Sequence, residues 1–280
     1  MIFSPSVVND GRRLLISPQK ITFLCNTDTS LFSGKIALVT GASRGIGEAL
    51  AIGLADHGTD VIICDLESES KGLANTHKQI EKTGKKCWSY FLDVTKKSQI
   101  QKMVSDILND IGSIDILVNN AGILTPTSLE DIDEETWDSH FEVNTKGVLL
   151  MCQSVLPHMR EKKFGRIINI ASIAGRQGSP TQGHYASTKS AVITLTRVLA
   201  QEVGEAGITV NAICPGIILT EMGKNNLGSE KEIAHWSNVA ALKRLGDPKD
   251  IIGPTVFFAS NLSDFVTGQS INVCGGIYFH

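Results

Sequence analysis

The chain has 280 residues, 42% hydrophobic and 20% charged, with a formal net charge of −3, the composition of a globular protein able to bury a sizeable core. It has no dense lysine/arginine block and no run reaching the ~18 apolar residues of a membrane span, so nothing invites nucleic acid or a membrane. Cys25, Cys64, Cys87, Cys152, Cys214 and Cys274 form no Cys-x-x-Cys pair or Cys/His cluster, which argues against a metal site or a disulfide framework and reads as free thiols in a reducing, cytoplasmic setting.

Residues 1–33 read as a mobile N-terminal extension. Arg12-Arg13-Leu-Leu-Ile-Ser resembles a fragment of a targeting peptide, but Asp10 and Asp28 interrupt it and no long apolar core follows. A natural start near Leu31 is expected, because the regular pattern begins abruptly after it. Ile36 to Thr40 is a buried strand, and Gly45 to His57 a helix stopped by Gly58. Val61 to Cys64 is the next strand, before a polar helix to Thr83. Trp88 to Leu92, a helix to Ile111 and the strand Ile114 to Val118 repeat the cycle. One long helical stretch is expected over 134–162, then the strand Arg166 to Ile170. The helix carrying Tyr185 runs to about Ala206, before the strand Ile208 to Ile213. A helix over 247–260 and the strand Ser270 to Val273 close the set. Continuous apolar strands separated by helices imply a parallel sheet covered on both faces. Right-handed crossovers then make residues 34–280 a single-domain doubly wound α/β fold, with ligands at the carboxyl ends of its strands.

Thr40-Gly-Ala-Ser-Arg-Gly-Ile-Gly47 lies between the first strand and the first helix. Gly41, Gly45 and Gly47 let the backbone turn tightly, so free N–H groups at the helix start can meet a pyrophosphate. Asp65 ends the second strand, where a carboxylate can accept hydrogen bonds from adenosine ribose hydroxyls. It serves equally as a helix N-terminal carboxylate. Arg44 suits a 2′-phosphate instead. Repulsion of ~1 to ~4 kcal/mol between unit charges at 4 Å favours Asp65 deciding the matter, and NAD over NADP.

Tyr185 and Lys189 stand four apart, on one helix face, in Tyr-Ala-Ser-Thr-Lys. An ammonium beside a phenol favours phenolate and draws its pKa down from ~10, and Ser172 upstream can hold a substrate oxygen. A packed tyrosine with a surface lysine gives the same string, so the other motifs decide.

Together with Asp93-Val94, Asn119-Asn-Ala121-Gly122, Asn144 and Pro215-Gly216, in that order, these motifs resemble the short-chain dehydrogenase/reductase family from about Ser33 to the C-terminus. The resemblance implies a seven-stranded Rossmann sheet, a homotetramer and a small-molecule substrate. It implies Tyr185 as general acid/base, Ser172 polarising the substrate oxygen, and Lys189 lowering the phenol pKa and holding the nicotinamide ribose. Asn144 would hold a water that relays the proton. For the coenzyme it implies Gly41, Ser43, Arg44, Gly45, Ile46 and Gly47 at the phosphates. Asp93 and Val94 would meet adenine, and Asn119, Ala121 and Gly122 would border its ribose. Pro215, Gly216, Ile218 and Thr220 would meet the nicotinamide carboxamide, and Tyr185 and Lys189 would also bind the coenzyme.

Residues 217–240 are expected to close over substrate, with Met222, His235 and Trp236 as candidate lining. His184, Arg176 and Gln177 are further candidates for the pocket wall, each equally consistent with packing or solvent. Cys274, where relatives often carry Asp, is assigned to subunit contacts rather than chemistry. Secondary alcohol/ketone interconversion with NAD, on a small polyol, sugar acid or hydroxy compound, is the favoured reading. A 3-oxoacyl-carrier-protein reductase using NADPH is the alternative. An NAD-bound sugar epimerase is disfavoured by the glycine spacing and short chain, and a non-catalytic nucleotide sensor by the intact catalytic set.

Overall fold

The computed structural model describes residues 31–279. The expectations for most of the N-terminal extension, and for Cys25, lie outside these residues. The strands are β1 (Ile36–Thr40), β2 (Asp60–Asp65), β3 (Cys87–Phe91), β4 (Ile116–Asn119), β5 (Gly165–Ile170), β6 (Ile208–Pro215) and β7 (Ser270–Val273). They form one parallel sheet of seven strands in the order β3-β2-β1-β4-β5-β6-β7. The order reverses between β1 and β4, where Leu38 pairs with Leu117 and Val39 with Val118. Crossovers leave that junction in opposite directions, opening a crevice at its carboxyl edge.

The period of two along each strand divides the core. Leu38, Ile62, Leu117 and Ile167 face one side, against α3 (Lys97–Asp110), α5 (Gly147–Lys162) and α7 (Gly183–Val203). Val39, Ile63, Val118 and Ile168 face the other, against α1 (Gly45–Asp56), α2 (Ser70–Lys82) and α10 (Ile252–Ala259). Both faces being covered explains why these strands read as unbroken apolar runs. The remaining helices are α4 (Glu134–Phe141), α6 (Ala174–Gln177), α8 (Glu221–Leu227) and α9 (Glu230–Val239).

Two expectations change in detail. The stretch over 134–162 is not one helix: α4 and α5 are joined by a π-helical turn, Glu142–Lys146, with Asn144 inside it. The widened turn lets the Asn144 side chain leave the helix and bond a neighbouring loop. The expected covering segment is a pair of short helices, α8 and α9. Each is started by a side-chain cap, from Thr220 to the Gly223 N–H and from Ser229 to the Glu232 N–H.

Candidate active site

A cleft of about 660 Å³ opens at the carboxyl edge of the sheet, over the β1/β4 junction. At one end the chain leaves β1 through Gly41 and Gly45, both in left-handed backbone (φ +64° and +62°) that only glycine adopts without strain. Gly47 is required for a different reason. A Cβ there would lie 2.0 Å from the Gly41 carbonyl oxygen. No side chain caps the start of α1, so its first N–H groups are left for another acceptor. Glycine backbone and an uncapped helix start fit the phosphates of a dinucleotide.

Ser43, Arg44, Ile46, Asp65, Asp93, Val94, Ala121 and Gly122 line the same end. Asp65 accepts from the Ser43 and Leu66 backbone N–H groups, both at 2.9 Å, and so also braces the turn. Asp93 holds the Thr95 N–H and hydroxyl. Asn119 departs from its expected place. It is buried under the sheet, donating to Asn169 Oδ1 at 2.9 Å and to Cys152 Sγ at 3.4 Å. Strand parity is the reason: Val118 faces the α1 side, so Asn119 faces the α5 side. The cleft instead receives Asn120, whose amide donates to the Thr40 and Gly41 carbonyls at 3.0 and 2.9 Å.

Ser172, just past β5, and Tyr185 and Lys189, on α7, line the middle of the cleft. Lys189 is buried, its Nζ donating to the Ile170 carbonyl at 2.8 Å and lying 5.7 Å from the Tyr185 ring centroid. Burial pushes the Tyr185 hydroxyl above its ordinary pKa, and the hydrogen bond with Ser172 works against that rise. Burial also lowers Lys189 to about 8. Ser172 is thus the neighbour that works to lower the phenol, while Lys189 Nζ is held by the Ile170 carbonyl.

Asn144 is fully buried and does not reach the cleft surface. Its Oδ1 accepts from the Ile123 N–H at 2.8 Å, while Nδ2 donates to the Ile123 carbonyl at 3.0 Å and to Thr188 Oγ1 at 3.2 Å. Both amide hydrogens are committed, so the side chain clamps the loop after β4 instead of presenting a donor to water. Gly122 fits between this clamp and Lys189: a Cβ there would stand 3.1 Å from Asn144 Oδ1 and 3.5 Å from Lys189 Nζ.

Beyond β6, Pro215, Gly216, Ile218 and Thr220 line the cleft. A Cβ on Gly216 would meet the Cys274 Cβ at 2.6 Å. Cys274 thus packs directly behind the cleft wall, closer to the chemistry than expected. Met222, Trp236 and Gln177 line the far end, but His235, Arg176 and His184 do not. Arg176 donates to the Ser270 carbonyl and Cys214 Sγ. His184 is fully buried edge-on to His140, with ring centroids 4.0 Å apart. Sequence reasoning passed over Glu69, Leu124, Gln182, Asn226 and Glu232, which also line the cleft. Gln182 Nε2 donates to Asn226 Oδ1 at 2.9 Å, tying the start of α7 to α8.

A crevice at a strand-order reversal, with a phenol, a hydroxyl and a buried amine on its wall, defines a dinucleotide-dependent oxidoreductase. Residues 41–278 match the family described as enoyl-(acyl carrier protein) reductase. The chain is 39% identical over 244 residues to the 3-oxoacyl-[acyl-carrier-protein] reductase FabG of Staphylococcus epidermidis, covering 87% of this chain and 99% of that one. It is 41% identical over 245 residues to FabG of Haemophilus influenzae, covering 88% and 98%. Among solved structures it superposes on levodione reductase with a TM-score of 0.84, at 31% identity over 88% of this chain and 98% of the other. The chain belongs to the short-chain dehydrogenase/reductase family and is an NAD(P)-dependent alcohol/ketone oxidoreductase.

Proposed function

We propose that the protein interconverts a secondary alcohol and a ketone on a small, polar hydroxy compound of polyol type, with NAD(H) as coenzyme. The observation that carries this reading is the convergence of Ser172, Tyr185 and Lys189 on one cleft wall beside the glycine turn. Bound in that cleft, the nicotinamide ring supplies the hydride acceptor or donor. Tyr185 Oη takes the proton from the substrate hydroxyl during oxidation and returns it during reduction, while Ser172 Oγ holds the substrate oxygen. Lys189 would hold the nicotinamide ribose and add positive charge there. Asn144 acts by positioning: it fixes Ile123 and, through Thr188, the helix that carries both catalytic side chains.

Asp65 and Glu69 at the adenosine end support NAD, since both carboxylates would face a 2′-phosphate. At the far end Gln177, Gln182 and Asn226 are neutral, and the cations lining the whole cleft, among the described residues, are Arg44 and Lys189. That supports an uncharged polar substrate over a sugar acid. The full-length likeness to the FabG proteins favours a second reading, reduction of a 3-oxoacyl thioester with NADPH.

Free thiols at Cys64, Cys87, Cys152, Cys214 and Cys274 support a cytoplasmic location. Apolar side chains exposed on α5, α7 and α10 (Leu149, Val198, Phe257) and just after α10 (Phe265) support a homotetramer. Absorbance at 340 nm with polyols, hydroxy acids and 3-oxoacyl thioesters, each with both coenzymes, tests the reading. Turnover confined to thioesters with NADPH would replace it by the second.

A further inference from the structure

Arg44, at the start of α1, lies between two carboxylates. Its Nη2 is 3.4 Å from Glu69 Oε1, and its Nη1 is 3.5 Å from Glu221 Oε2. Glu69 follows Asp65 in the turn after β2, and Glu221 is the first residue of α8; all line the cleft. We propose that Glu69 and Glu221 are specificity-determining residues for the coenzyme, acting as counter-ions that hold Arg44 away from a 2′-phosphate.

The need for such residues follows from what Asp65 is already doing. Its two oxygens accept from the Ser43 and Leu66 N–H groups, so part of its charge is spent on the turn. Arg44, left alone beside it, would present five N–H donors in the planar fork that suits a phosphate. Two glutamates, one from each side, stand within ion-pair distance of that fork and leave the adenosine end acidic. A 2′-phosphate would then have to break two ion pairs and approach the carboxylates of Asp65 and Glu69. A plain ribose displaces nothing. The pairs are exposed, with Arg44 63% accessible, so salt should weaken the effect. Glu221 also links the choice to α8, because a coenzyme that drew Arg44 away would break the ion pair between that helix and the glycine turn.

The proposal rests on the NAD reading for its biological sense, but its test does not. Dissociation constants for NADH and NADPH would be measured by calorimetry on the wild-type protein, E69Q/E221Q, and R44A/E69Q/E221Q, at low and high salt. The double variant is expected to bind NADPH roughly tenfold tighter than wild type at low salt, with NADH changed less than about threefold. The gain should shrink at high salt and vanish when Arg44 is also removed. No gain in the double variant, or a gain that survives in the triple variant, would overturn the proposal. A wild type that binds NADPH more tightly than NADH would overturn the NAD reading instead, since the proposal is read from the variant-to-wild-type ratio.

Discussion

The two ends of the cleft are built from different materials. At the end proposed for adenosine much of the wall is main chain: a turn through Gly41 and Gly45, the start of α1, and the edge of β4 held to Thr40 by Asn120. At the far end the wall is side chain, borne on α8 and α9, where no residue of either helix is buried. Backbone positions tolerate little substitution, because a Cβ either fits or collides. Side chains on short, exposed helices can be exchanged at small cost to the fold. One end is thus suited to a constant ligand and the other to a variable one.

The sharpest way to break this contrast is Gly47→Val. With the first added carbon 2.0 Å from the Gly41 oxygen, the turn must move. NADH affinity should fall by about a hundredfold or more, and stability by roughly 1–3 kcal/mol, read by titration and thermal melting. Retained affinity would mean that the turn does not contact the coenzyme. Next in size is Tyr185→Phe, which removes only the proton carrier. Turnover should drop by roughly a hundred- to ten-thousandfold while NADH binding stays within about threefold. Substantial residual rate would assign the acid to another group.

Lys189→Met tests the middle of the cleft through pH. Burial lowers the lysine to about 8 from its ordinary 10.5, so the unfolded chain binds its proton more readily than the folded one. The penalty of the buried ammonium is full below pH 8 and is relieved as pH rises to 10.5. Relative to Lys189→Met, the wild-type unfolding free energy should therefore increase by about 3 kcal/mol across that window, in denaturant titrations. A flat difference would mean the amine is solvated. The smallest effect belongs to the far end. Asn226→Ala removes the partner of Gln182 and should raise KM by about fivefold, the worth of one hydrogen bond, without changing NADH affinity. A fall in kcat with KM unchanged would place Asn226 in the chemistry rather than the closure.

The sequence revealed most where physics forces residue type. Strands buried on both faces must be largely apolar, which made the central ones legible. All seven lie within about two residues of their expected places, although β3 and β7 at the edges are only partly buried. Gly41, Gly45 and Gly47 stood out because no other residue fits there. Parity was harder. Asn119 and Asn120 are adjacent and identical, and only the alternation of β4 decides which enters the cleft. The π turn around Asn144 was not legible, since one extra residue per turn leaves the apolar spacing of α4 and α5 intact on either side. Nor does four-residue spacing reveal where an amine points. Lys189 shares the face of Tyr185, yet its hydrogen bond goes to Ile170.

Past β4 the chain has lost its strand neighbours, and an extended segment without a partner ordinarily frays. Asn144 prevents this by offering its amide to both polar groups of Ile123, as the next rung of a ladder would. One side chain thereby takes the part of a missing strand. It stiffens the lip of the crevice while occupying so little width that the gap beside β1 stays open to a guest.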